Sequence, residues 1–120
     1  VLRTAEKAVQ AMTARYGTKP ADLLAGIGPS IGPARYEVGP EVAVAVRAVF
    51  GNEAARLLPA FNGSTHFDLW EANRLTLAEA GVHEIEVSEI CTAENTADWF
   101  SHRAEGGVTG RFGALLALED

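Results

Sequence analysis

Leu2, Ala5, Val9, Met12 and Tyr16 recur at helical spacing, with Arg3, Glu6, Lys7, Gln10 and Thr13 between them, and predict an amphipathic helix over 1–16. Gly17 follows as its C-cap. The apolar run Leu23, Leu24, Ala25, Ile27 predicts a buried strand. Val42, Val46 and Val49 form the stripe of a second helix. Pro40 opens it, where a missing N–H costs nothing, and Gly51 stops it. Asn52 is the candidate cap of a short third helix over 53–58, closed by Pro59, and residues 60–67 read as loop with at most a brief strand. A fourth helix starts at Asp68, with Glu71 three positions on to complete a capping box, and ends at Gly81. Leu69, Asn73 and Leu77 share one of its faces, so Asn73 interrupts an apolar stripe; a buried amide there either ties down a neighbouring loop or faces a ligand. Trp70 reads as core. Residues 83–88 alternate as a half-exposed strand, with His83, Ile85 and Val87 inward and Glu84 and Glu86 outward. The run Ala114 to Leu118 predicts a strand buried on both faces, a short helix being the alternative.

One stretch resists both periods. Gly26 to Val42 holds four glycines and three prolines in seventeen residues, a density that neither a regular helix nor a central strand tolerates. Proline disfavours the α region in the residue before it, so Gly28-Pro29 and Gly32-Pro33 impose extended or turn geometry. The order is therefore strand, stiff double turn, short Tyr36–Val38 segment, helix. Such loops are common homes for binding sites, and a purely structural turn is the plainer reading. The glycine spacing matches neither a Walker loop nor a dinucleotide fingerprint.

The chain has 120 residues, which suits one domain, and its 48% apolar content is globular. No run of about 18 apolar residues offers a membrane span, and no signal-peptide pattern opens the chain. The single cysteine, Cys91, precludes an internal disulfide framework and fits a reducing, cytoplasmic compartment. A formal charge of -6 and the lack of a basic stripe argue against a nucleic-acid partner. Because the chain opens on Val, inside an amphipathic helix with no cap, it reads as a piece of something longer or a processed product.

Candidate chemistry gathers late in the chain. The segment over 90–103 is polar, irregular and rich in reactive side chains. Cys91 and His102 form a weak Cys–His nucleophile pattern, set against a buried, inert thiol. His66 lies in a loop with no second histidine at metal-ligand spacing, so it reads as a surface or packing residue. Arg103 and Arg111 follow a stretch, 75–102, with six acids and no Lys or Arg. Each either pairs with a nearby acid (Glu94, Asp98 or Glu105) or holds an anion.

Three blocks, G-I-G-P-S-I-G-P-A-R-Y-E-V-G at 26–39, F-D-L-W-E-A-N-R-L at 67–75, and C-T-A-E-N with F-S-H-R and T-G-R between 91 and 111, stand in an order and spacing that resemble one family. It is the laccase-like multicopper polyphenol oxidoreductase, or YfiH, family, which includes the human immune regulator FAMIN. The resemblance implies an α/β (α+β) fold, a layered mixed sheet with flanking helices. It implies phosphorolysis of adenosine, inosine, guanosine and methylthioadenosine, together with adenosine deamination. It implies zinc rather than copper as the metal, bound by two histidines and a cysteine in the family's N-terminal half. One of those histidines opens an H-A-G-W-R-G motif ahead of a helix like that over 1–16, so only the C-terminal half is matched and no metal ligand is expected in this chain.

Within that resemblance, His102 and Asn73 are the candidates to assist the departing purine. Arg103 and Arg111 are the candidates to hold phosphate and Tyr36 to stack on the base. Cys91 becomes a packing residue beside the site. Departures exist: Ser30 and Ala34 stand where members often carry cysteines, and Ala104 where they often carry a second arginine. Turnover is expected to need the N-terminal half or another copy as partner. The alternatives are a non-catalytic assembly module of the same fold, a polyphenol oxidase and a cysteine hydrolase using Cys91 and His102.

Overall fold

The computed structural model describes residues 3–119. Helix α1 (Thr4–Tyr16) leads to a 3-10 turn (Pro20–Asp22) and strand β1 (Leu24–Ile27). A second 3-10 turn (Pro33–Arg35) precedes α2 (Pro40–Phe50), which runs through a 3-10 segment (Gly51–Glu53) into α3 (Ala54–Leu57). Then come the short strands β2 (Ala60–Phe61) and β3 (Ser64–Thr65), helix α4 (Leu69–Glu79) and strand β4 (Glu84–Val87). The expected α/β arrangement of strands with flanking helices is observed, with the strands in small sheets rather than one layered mixed sheet. Parallel and antiparallel pairing fall in separate two-stranded pieces: β1 pairs β4 in parallel, Leu24 opposite Glu84, and β2 pairs β3 antiparallel.

Helix α4 is the central packing element, lying against α1, β1, β4 and α3. Asp68 caps it as expected, accepting the Glu71 N–H at 3.0 Å. Only half of the capping box forms, because Glu71 turns instead to Arg74 and Arg56, while the Asp68 N–H donates to the Leu57 carbonyl. The core joins Val46 and Phe50 of α2, Ala54 and Leu57 of α3, Phe67, and Ala72 of α4. Val42 and Val49 flank it as the expected stripe requires. Gly17 closes α1 with φ 67° and a bond to the Thr13 carbonyl.

Several expectations change. The first strand is not buried: its residues alternate, and Leu24 is 82% exposed, because the helices cover one face of a sheet only two strands wide. The thinnest dimension of the molecule, 20 Å, is that of two layers. His83 faces out; Val82 fills the inward position just before β4. The apolar run near the C-terminus forms neither strand nor helix, and Leu115, Leu116 and Leu118 are almost fully exposed. A strand needs a hydrogen-bonded neighbour for its N–H and C=O groups, and among the described residues no strand pairs with this run. On α1, Val9 alone is buried, while Met12 and Tyr16 face out; Leu2 of the expected stripe and Val1 lie outside the described residues. Asn52 caps nothing, since α2 passes into α3 through the 3-10 segment without a break for a cap. Residues 60–65 are a true hairpin, turned by Asn62 and Gly63, both at positive φ. Among the described residues no helix is long and apolar enough to cross a membrane.

Candidate functional site

The double turn is held from two sides. Past Ile27 the chain bridges Ser30 to Cys91, with the Ser30 N–H on the Ile90 carbonyl and the Thr92 N–H on the Ser30 carbonyl, both at 3.2 Å. This prolongs the β1–β4 pairing into the irregular loops. From α4, the Trp70 indole N–H donates to the Ser30 hydroxyl at 2.9 Å, so Trp70 braces the turn as well as filling space. Gly32 is required by close approach: a Cβ there would lie 2.8 Å from the Trp70 ring and 3.3 Å from Cys91 Cβ. Its N–H donates to Cys91 Sγ at 3.2 Å.

The next segment is fixed to the hairpin. His66, buried, places Nδ1 2.6 Å from the Pro33 carbonyl and stacks its ring 4.9 Å from Phe61, a packing role. The Phe67 N–H bonds the Tyr36 carbonyl and the Val38 N–H bonds the Thr65 carbonyl, both at 3.0 Å. Tyr36 is thereby set with its ring tilted against Phe67. The facing loop folds on itself: Asn95 donates to the Cys91 carbonyl at 2.7 Å, and the Ser101 and Ala104 amides are held by the Glu105 carboxylate and the Ser101 hydroxyl.

Between these walls lies a hollow of about 290 Å³. It is lined by Ile31 and Tyr36 from the double turn and the segment after it, and by Thr92, Phe100, Ser101, His102 and Arg103 from the facing loop. The Arg103 guanidinium lies over the Tyr36 ring, 5.2 Å from its centroid, and donates to the Glu37 carbonyl at 2.7 Å. Among the described residues it has no carboxylate partner; the ion pairs belong to Arg3, Arg56 and Arg74. A second hollow of about 250 Å³ adjoins it, sharing Phe100 and His102 and adding Arg111. Among the described residues Arg111 bonds only its neighbour's carbonyl, at 3.2 Å.

Tyr36, His102, Arg103 and Arg111 are therefore brought to one region. Asn73 is not. It lies between a hollow of about 440 Å³ framed by α1 and β1 and another of about 360 Å³ that reaches Tyr36 from behind, and it shares no hollow with His102 or Arg103. No hydrogen bond ties it to a loop among the described residues. Cys91 is 5% exposed and absent from the walls of both loop hollows, so it is not brought together with His102. Sequence reasoning missed Thr92, Ser101 and Phe100. Short polar residues in an irregular loop follow no period; only their place in the C-T-A-E-N and F-S-H-R blocks marks them. Among the described residues no group of three or more His, Cys, Asp or Glu is placed to hold a metal ion.

The purine nucleoside phosphorylase of Deinococcus radiodurans is 38% identical over 116 residues, covering 97% of this chain and 44% of its own length. Purine nucleoside phosphorylase YlmD of Bacillus subtilis is 34% identical, covering 93% of this chain and 41% of its own. The crystal structure of YlmD from Geobacillus stearothermophilus superposes with a TM-score of 0.80 at 38% identity, over 90% of this chain and 41% of that one. The chain thus spans less than half the length of each of these relatives. The sequence model of the multi-copper polyphenol oxidoreductase laccase family matches residues 1–119, and with those relatives and that fold the chain belongs to this family.

Proposed function

We propose that these loops form the phosphate- and purine-holding wall of a purine nucleoside phosphorylase. The observation that carries the reading is Arg103: a guanidinium with no carboxylate partner among the described residues, braced on Tyr36 and beside His102 at a hollow. In the reaction a phosphate oxygen bonds to ribose C1′ as the C1′–N9 bond breaks, and the electron pair leaves with the purine, which takes up a proton. Arginine suits the first partner, because its fork holds an oxyanion in fixed orientation. His102 suits the second, since an imidazole can donate a proton near neutral pH. The Glu37 bond engages one Nη of Arg103 and leaves its other donors for phosphate. One face of Tyr36 is covered by Arg103, so a purine would stack on Tyr36 only if the guanidinium moved aside, and Phe100, 49% exposed at the rim, is the freer ring.

Adenosine, inosine, guanosine and methylthioadenosine are the proposed substrates. Adenosine deamination and zinc belong to the same family-level reading. The described residues do not fit a metal site, so no step is routed through one.

The test is phosphate-dependent adenine release from adenosine by the intact protein carrying these residues. Arg103→Met should raise KM for phosphate at least tenfold while leaving KM for adenosine within about threefold, since removing a charge-assisted bond costs roughly 1.5–3 kcal/mol. Phosphate kinetics unchanged in that variant would overturn the assignment.

A further inference from the structure

Two hydroxyl-bearing residues line the Arg103 hollow with no acceptor for their protons among the described residues, and neither hydroxyl oxygen is an enclosed, unpartnered atom, so the Thr92 oxygen is open to the hollow. Thr92 is 5% exposed and Ser101 4%. Both line the hollow with Arg103 and His102. Among the described residues the Thr92 side chain makes no hydrogen bond. The Ser101 hydroxyl accepts from the Ala104 N–H at 3.3 Å but donates to nothing. A hydroxyl that faces a hollow with no acceptor in the chain is free to donate to a water, an ion or a ligand there. Thr76 of α4, as deeply buried, donates to the Ala72 carbonyl at 2.7 Å, whereas Thr109 Oγ1 is the one fully enclosed side-chain polar atom without a partner among the described residues.

We infer that Thr92 and Ser101 are oxyanion-binding residues, whose hydroxyls with the Arg103 guanidinium form a site for one inorganic phosphate. Both are donors with short side chains held by the backbone, Thr92 through the Ser30 bridge and Ser101 through its N–H on Glu105. A phosphate there gains hydrogen bonds with little loss of side-chain freedom. The Glu105 carboxylate is bonded beside the hollow, and its bond to the Ser101 amide uses one of its oxygens. The exposed Phe100 ring leaves the purine an adjacent place, so the two substrates divide the hollow between its polar residues and its apolar edge. The inference rests on the phosphorolysis reading for its ligand and stands on these two hydroxyls for its site.

The test is calorimetric titration of the chain with sodium phosphate, with sodium sulfate and sodium chloride as comparison arms. Phosphate should bind, sulfate should compete for the same site, and chloride should do neither. Thr92→Val keeps shape and removes the hydroxyl; it should weaken phosphate binding at least tenfold at an unchanged melting temperature. Thr92→Ser should restore it, and Ser101→Ala should weaken it similarly. Equal phosphate affinity in Thr92→Val and wild type, or no phosphate binding by wild type, overturns the inference. Hydroxyl-dependent phosphate binding without purine release by the intact protein would leave the site standing and remove the phosphorylase reading. Purine release with KM for phosphate unmoved by Thr92→Val would do the reverse.

Discussion

Gly32 shows how one missing side chain holds the site together. Its Cα faces the Trp70 ring and Cys91 Cβ so closely that a methyl group would sit 2.8 Å from aromatic carbon. Gly32→Ala should therefore destabilise the protein by about 1–3 kcal/mol, read as a lower urea midpoint, because Trp70 is held by its bond to Ser30 and cannot simply retreat. Gly28, with open space at its missing Cβ, is the control and should tolerate alanine far better.

Glu71 carries a pH signature. The hydrogen bond from Arg74 holds its carboxyl below the usual glutamate range, opposed by burial and helped by the charges of Arg74 and Arg56. A lowered folded-state value means the contribution is present at neutral pH and lost as pH falls below about 4. The gap in urea midpoint between wild type and Glu71→Gln should thus be open at pH 7 and close towards pH 3. A gap independent of pH would contradict the ion-pair account. At this scale the chain was partly legible. Residue type alone left Cys91 open between a nucleophile and a buried thiol; the family resemblance implied its packing role and grouped His102 with the arginines, and the structure buries Cys91 and brings His102, Arg103 and Arg111 to one region. Thr92 and Ser101 could not be read, because a small hydroxyl declares its role only through what surrounds it.

At the level of elements, the stretches with both a period and a stop signal were readable. Helix α4 has an apolar stripe, an acceptor at Asp68 and Gly81 beyond its end, and it forms where those signals place it. Asp68→Ala should cost about 1 kcal/mol, within the range for N-caps, and raise amide exchange in the first turn of α4. The capping box half-formed because Glu71 has stronger suitors in two arginines, one of them on α3, which no local pattern reveals. Asn62-Gly63 is a strong hairpin signal, yet the strands it joins are two residues each, too short for any alternation to show. Exposure along β1 also escapes local reading: Leu24 is apolar, and whether it is covered depends on which layers lie over the sheet.

Over the whole molecule, the two loop systems converge because the β1–β4 pairing continues through Ser30 and Cys91. Blocks more than fifty residues apart become the two walls of one hollow. Their order along the chain identified the family, while their meeting depends on a parallel register that sequence alone leaves open. The exposed C-terminal leucines and the uncovered face of β1 have the same origin, since strands are completed only by neighbours distant in sequence.

The central claim is that the Tyr36–His102–Arg103 hollow receives phosphate. It is tested most directly by following the amide and arginine side-chain resonances of the isotope-labelled chain during titration with inorganic phosphate. Saturable shifts concentrated at Thr92, Ser101, His102 and Arg103, and absent at Arg56 and Arg74, are the predicted result. Shifts spread over the surface arginines, or none at the hollow at saturating phosphate, would contradict it.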